Sequence, residues 1–200
     1  MEAEQQGRLT PIVFPSVLLV VDVQNDFCEK GAIPVPGGDD VVPYINGVTT
    51  KLDGLNLPVI YTQDWHKPET KHFEVNGGIW PVHCVQDTEG ADFHPDLRLG
   101  KHSLFAKKGQ ALDYDGYSAL DATDECGCVF RESLTTFSHC TFYVVGLATD
   151  YCILHTVLDL RKLGLQTVVL KNGIRAVEET SGKAALKNME MAGAVMLSMS

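Results

Sequence analysis

Residues 144 to 158 read VVGLATDYCILHTVL, an apolar run that passes through Gly146 and continues as an amphipathic pattern with Cys152 near its start. A helix N-terminus presents unsatisfied N–H groups, and their partial positive charge favours a thiolate over a thiol. A cysteine there is equally well explained as a small hydrophobe filling a core position. Its neighbours in space decide between a nucleophile and a filler, so the other chemically capable residues matter.

Three other predicted strands carry such residues at comparable places. Asp22 ends the apolar run of SVLLVVDV (16–23), where a carboxylate is costly to bury unless it is paired. Lys107 and Lys108 end SLFAKK (103–108), and Asp64 and His66 follow LPVIYT (57–62). An aspartate, a lysine and a cysteine brought together would make an activated nucleophile: the thiolate attacks and the ammonium lowers the thiol pKa. The carboxylate takes the thiol proton and returns it to a leaving amine. The competing reading is a structural Asp–Lys ion pair beside an inert cysteine.

A second constellation lies in DWHKPETKHF and WPVHC, which offer Asp64, His66, His72 and His83. One carboxylate with two or three imidazoles suits zinc, iron or manganese. In extended chain, Asp64 and His66 point to the same side. His94, His102, His139 and His155 lack such company and receive no role. The CGC of Cys126 and Cys128 matches no redox or zinc spacing and reads as a turn with two incidental thiols.

The elements that must position these residues follow from hydrophobic pattern. SVLLVVDV, LPVIYT, TFYVVGLA (141–148) and LQTVVL (165–170) are continuous apolar runs rich in β-branched residues, with SLFAKK and GAVMLSM (193–199) as weaker candidates. Continuous rather than alternating hydrophobicity predicts strands buried on both faces, as in a parallel sheet. Helical patterns lie between them: DDVVPYINGVTTKLDGL with acidic caps, TDYCILHTVLDLRKLG ending at Gly164, and SGKAALKNMEMAG from Ser181 to Gly193. Strand and helix in alternation imply an α/β fold: one open, mostly parallel six-stranded sheet with helices on both faces. Ligands of such sheets bind beyond the carboxyl ends of the strands, where Asp22, Asp64, Lys108 and Cys152 all fall. Residues 63–101 and 109–118 are long polar, glycine-punctuated loops of the kind that carry function.

Bulk properties narrow the class. The chain has 200 residues, 44% hydrophobic and 21% charged, which fits one globular domain. A net charge of −10 argues against a nucleic-acid partner. No apolar run approaches the ~20 residues that span a membrane, and MEAEQQGRLTPIVFPS lacks a signal-peptide layout. Residues 1–16 read as an arm before a domain over 17–200. Six scattered cysteines in a chain of this size point to a reducing cytosol.

VVDVQNDF, DWHKPETKHF, GGIWPVHCVQDTEGADFHPDL, KKGQALDYDGYSAL and VVGLATDYCILHT occur in one order along the chain. In this the sequence resembles the nicotinamidase/pyrazinamidase group of the isochorismatase-like cysteine hydrolases. The resemblance implies Asp22 as acid/base, Lys108 as catalytic lysine and Cys152 as nucleophile. It implies Asp64, His66 and His83 as ligands of one divalent metal, zinc foremost with iron or manganese as alternatives. His72 matches a position that is a ligand in some relatives only. A cis peptide is implied at Leu147–Ala148, which would set the N–H groups of Ala148 and Cys152 as an oxyanion hole. Phe27, Trp80 and Tyr117 match pocket positions, and flat aromatic walls suit a pyridine ring. Tyr151 and the segment 124–130 receive no role. The implied reaction is hydrolysis of nicotinamide to nicotinate and ammonia, with pyrazinamide as a second substrate. The alternatives are another small-amide hydrolase of the superfamily and a catalytically silent metal- or ligand-binding relative. Beyond the small-molecule substrate, a second copy of the chain is the partner class left open.

Overall fold

The computed structural model describes residues 15–198. Its strands are β1 (Ser16–Val21), β2 (Val59–Asp64), β3 (Ser103–Lys108), β4 (Thr141–Leu147), β5 (Gln166–Arg175) and β6 (Val195–Leu197). All neighbouring pairs are parallel, in the order β3-β2-β1-β4-β5-β6. The helices are α1 (Val41–Gly54), the single turn α2 (Phe130–Ser133), α3 (Leu154–Lys162) and α4 (Glu179–Met191).

The continuous apolar runs become strands covered on both sides. Every residue of β1 is buried. Leu18 and Val20 pack with Tyr61, Val145 and the α1 residues Val41, Ile45, Val48 and Leu52. Val17, Leu19 and Val21 face the other way, onto Phe130 of α2, Val157 and Leu160 of α3 and Met189 of α4. One helix on one face and three on the other is the expected three-layer α/β architecture.

Some boundaries differ from expectation. β5 continues through the polar KNGIR to Arg175, because its register with β4 shifts between Val144 and Gly146 and resumes at Gly146↔Ile174. Among the described residues β6 covers Val195–Leu197 of the expected 193–199, and Met199 lies outside them. The acidic residues before α1 make no side-chain cap; Asp39 instead accepts the Glu29 N–H at 2.8 Å. α4 begins at Glu179, with Ser181 inside its first turn. Residues 1–14 of the expected arm lie outside the described residues, and β1 already starts at Ser16.

Strand order reverses at β1, so β2 and β4 leave it in opposite directions and a crevice opens at the carboxyl ends of β1 and β4. Gly146 makes that junction possible: with φ 116°, a Cβ here would lie 2.0 Å from the Val21 carbonyl oxygen. Only glycine allows the two backbones to approach this closely.

Candidate active site

Four strands deliver one polar group each to the crevice. Asp22 follows β1, Asp64 ends β2, Lys108 ends β3, and Cys152 lies in one wide π-helical turn, Thr149–Ile153, between β4 and α3. The β2–β3 register places Asp64 beside Lys108. Lys108 Nζ is 2.9 Å from Asp22 Oδ2 and 3.3 Å from Cys152 Sγ, and it donates to Asp64 Oδ1. Thr62 Oγ1 donates to Asp22 Oδ1 at 2.7 Å. Asp22, Asp64 and Cys152 each bring an oxygen or sulfur within 4.8 Å of the others. Asp22 and Lys108 are 0% and 1% exposed, so the ammonium and the carboxylates compensate one another without bulk water.

Burial dominates the electrostatics. It raises the Asp22 carboxyl to about 6, against the pull of Lys108. Burial also acts to raise the Asp64 carboxyl, but Lys108 and His66 outweigh it and hold the group well below the usual carboxylate range. Lys108 is likewise kept charged: burial disfavours the ammonium, and Asp22 and Asp64 overcome that cost. The Cys152 thiol differs from the sequence expectation. Burial raises it well above an ordinary thiol, and Lys108 only partly offsets this. Nor does Cys152 sit in the first turn of α3, which starts two residues later. The resting group is therefore a thiol beside a carboxylate base and an ammonium.

A second cluster adjoins the first. His66, His72 and His83 bring ring nitrogens within 4.8 Å of one another. Each Nδ1 faces an oxygen acceptor: Gly109 O at 2.9 Å, Asp115 Oδ1 at 2.7 Å and Pro81 O at 2.7 Å, respectively. Those acceptors place the proton on Nδ1 and leave each Nε2 with its lone pair, the arrangement that metal-binding imidazoles require. His66 Nε2 is buried without a hydrogen-bond partner and lies 3.6 Å from Asp64 Oδ2. Burial lowers His72 and holds His83 at about 4, favouring the neutral ligand form of both. These residues fit a divalent metal, and His72 stands in the set as fully as His66 and His83. Gly109 makes room for it: at φ 70°, a Cβ would come 2.4 Å from His66 Cε1.

Cys28, Asp39 and His94 form another group of suitable atoms. There His94 Nδ1 accepts the Asp96 N–H at 3.2 Å, so its Nε2 carries the proton and faces Asp39 Oδ1 at 3.2 Å. That hydrogen-bond pattern leaves no imidazole lone pair for a metal.

Between the thiol and the histidines lies a cavity of about 270 Å³. Cys152 and Ala148 line it beside Asp64, His72 and His83, and Phe27, Trp80 and Tyr117 contribute aromatic walls. Trp80 Nε1 donates to the Tyr117 hydroxyl at 2.8 Å, and Trp80 meets Tyr151 edge-on at 4.8 Å. The Leu147–Ala148 peptide is cis. His155 stacks on Tyr117 at 5.1 Å, behind the wall.

The model of the isochorismatase domain matches residues 16–200, from the first residue of β1 onward. The chain belongs to the isochorismatase family. Within that family it is 35% identical over 196 residues to a nicotinamidase of Escherichia coli K12, covering 90% of this chain and 92% of that one. It is 36% identical over 179 residues to the nicotinamidase/pyrazinamidase of Mycobacterium tuberculosis, covering 88% and 94%. A pyrazinamidase of Pyrococcus horikoshii, solved in complex with zinc, superposes with a TM-score of 0.84 at 31% identity, covering 92% of this chain and 99% of that one.

The isochorismatase-family site contains residues that sequence reading passed over. Thr62 orients Asp22. Asp26 Oδ2 accepts the Cys84 N–H at 2.6 Å and its Oδ1 accepts the Ala32 N–H at 3.1 Å, tying the histidine loop to the cavity rim. Asp150 binds the start of α4, and Tyr151, Ile33, Pro34, Val35 and Val177 complete the apolar wall. The polar residues flanking Asp22 and Cys152 in QND and TDYC were the available signal, since buried polar side chains need partners.

Proposed function

We propose that this protein is a nicotinamidase, in which Asp22, Lys108 and Cys152 perform the chemistry and Asp64, His66, His72 and His83 hold a divalent metal. One observation carries the reading: a thiol backed by a buried ammonium and its paired carboxylate lines an aromatic-walled cavity whose far side is built of imidazoles. The activities named for its relatives agree with it. Zinc is the metal this reading assigns, and the same donors accept iron or manganese. Bound there, the metal would supply a Lewis acid at the histidine end of the cavity, toward which a basic ring nitrogen of the substrate could turn.

The remaining steps belong to the chain. Asp22 accepts the Cys152 proton as Sγ bonds to the carboxamide carbon and the carbonyl π pair moves to oxygen. Lys108 stabilises the sulfur as negative charge develops. The N–H groups of Ala148 and Cys152 receive the oxyanion. When the tetrahedral centre collapses the C–N bond breaks, and Asp22 gives its proton to the departing ammonia. Asp22 then takes a proton from water as it attacks the thioester, and returns it to Cys152 when nicotinate leaves. Aromatic walls that fix the ring contribute through orientation. We place the enzyme in a reducing compartment, the cytosol, because its six cysteines are free thiols.

The test is ammonia release from nicotinamide, with a Cys152→Ala control. Release by the parent, its loss in the variant and equal metal content in both is the expected result. Turnover retained in Cys152→Ala would remove the cysteine from the mechanism. Silence of the metal-replete parent toward nicotinamide would turn the assignment to other small amides.

A further inference from the structure

Gln24 is 0% exposed and has no place among the residues that line the cavity. Its carboxamide is wholly engaged with backbone. Oε1 accepts the Asp64 N–H at 2.8 Å, while Nε2 donates to the carbonyls of Asp64 and Ala91, both at 2.8 Å. The reason lies in how the sheet ends. The Asp22 N–H bonds to the Thr62 carbonyl, so in a continuing parallel ladder the Asp22 carbonyl would accept the Asp64 N–H. Asp22 instead turns away with φ 50°, and its carbonyl accepts the N–H of Gln24 at 3.0 Å. Both backbone groups of Asp64 would lose their partner on this side, and the Gln24 side chain replaces the missing strand.

Asp64 is not an ordinary strand end. One carboxylate oxygen takes the Lys108 ammonium and the other stands 3.6 Å from His66 Nε2. We propose that Gln24 is a positioning residue for the reaction: by clamping the peptide groups on either side of Asp64, it sets where that carboxylate stands between Lys108 and the histidine cluster. This rests on the reading of Asp64 as a metal ligand and of Lys108 as the cation beside the nucleophile. Gln63 makes a useful contrast. Its Nε2 also donates to the Ala91 carbonyl at 2.8 Å, but its side chain has no bond to Asp64.

The experiment compares Gln24→Glu, Gln24→Met and Gln63→Ala with the parent. Glutamate retains the acceptor for the Asp64 N–H but turns a carboxylate oxygen toward two carbonyls; methionine fills the space with no hydrogen-bonding group. Three readouts are taken on protein shown to be folded by a cooperative thermal melt. They are cobalt affinity by absorbance titration, the iodoacetamide alkylation rate of Cys152 by peptide mass spectrometry, and kcat and KM for nicotinamide. Displacing a group that supports a ligand costs about 10–100-fold in metal affinity or activity. Losses of that size in both Gln24 variants, a several-fold change in alkylation rate, and parental behaviour of Gln63→Ala support the proposal. A folded Gln24 variant with parental cobalt affinity and alkylation rate overturns it. If the parent releases no ammonia, the functional reading falls, and the cobalt and alkylation comparisons still decide the role of Gln24.

Discussion

Because Lys108 Nζ contacts Asp22, Asp64 and Cys152 at once, its single charge is divided unequally, and in the proposed mechanism that division sets which group moves a proton. Asp64 stays ionised far below the usual carboxylate range, whereas burial raises Asp22 to about 6. Asp22 therefore titrates close to neutrality, where a base both exists in its ionised form and returns its proton readily. The sign follows: protonated Asp22 cannot accept the thiol proton, so kcat/KM for nicotinamide should fall as pH drops through about 6. A profile that stays flat through that region would remove Asp22 as the proton acceptor. Asp22→Asn should lose turnover by about 10²-fold or more, the usual contribution of a positioned general base.

The turn containing Cys152 and the start of α4 are held together by one carboxylate. Asp150 accepts the N–H groups of Val177 at 3.0 Å and Glu178 at 3.2 Å, and the Ser181 hydroxyl at 2.6 Å. This ties the two residues that lead into α4, and a hydroxyl of its first turn, to the turn that carries Cys152. It also fixes Val177, which forms part of the cavity wall. Asp150→Ala should cost about 1–2 kcal/mol, as leaving part-buried N–H donors without their acceptor does. That corresponds to about 2–8 °C in Tm for a chain of this size, read by calorimetry. Since Asp150 shapes the wall without contacting the thiol, KM should rise more than kcat falls. An unchanged Tm would show that α4 holds its start without the aspartate.

In the whole molecule, the rigid sheet holds Asp22, Lys108 and Asp64, while the imidazoles come from the loop between β2 and β3. On the proposed reading, a metal held by that loop and by Asp64 would join the two parts and stabilise only the folded chain. At a free concentration 100 times Kd this amounts to about 2.7 kcal/mol. Chelation should therefore lower Tm by several degrees, zinc should restore it, and His66→Ala should abolish the response. A Tm indifferent to chelator and zinc would remove the metal from the fold's stability. Much of this organisation was legible in the sequence, because it depends on local pattern. Unbroken apolar runs determined the buried parallel strands, and polar residues at their ends determined which side chains reach the crevice. Hydrophobic period does not record long-range partners or solvation, and those only the tertiary structure decided. Gln24 reaches Asp64 forty positions away, and Gly109 and Asp115 fix the tautomers of His66 and His72. Burial keeps the Cys152 thiol protonated even though Lys108 pulls it down as expected, because the packing that creates the site also takes water away from it.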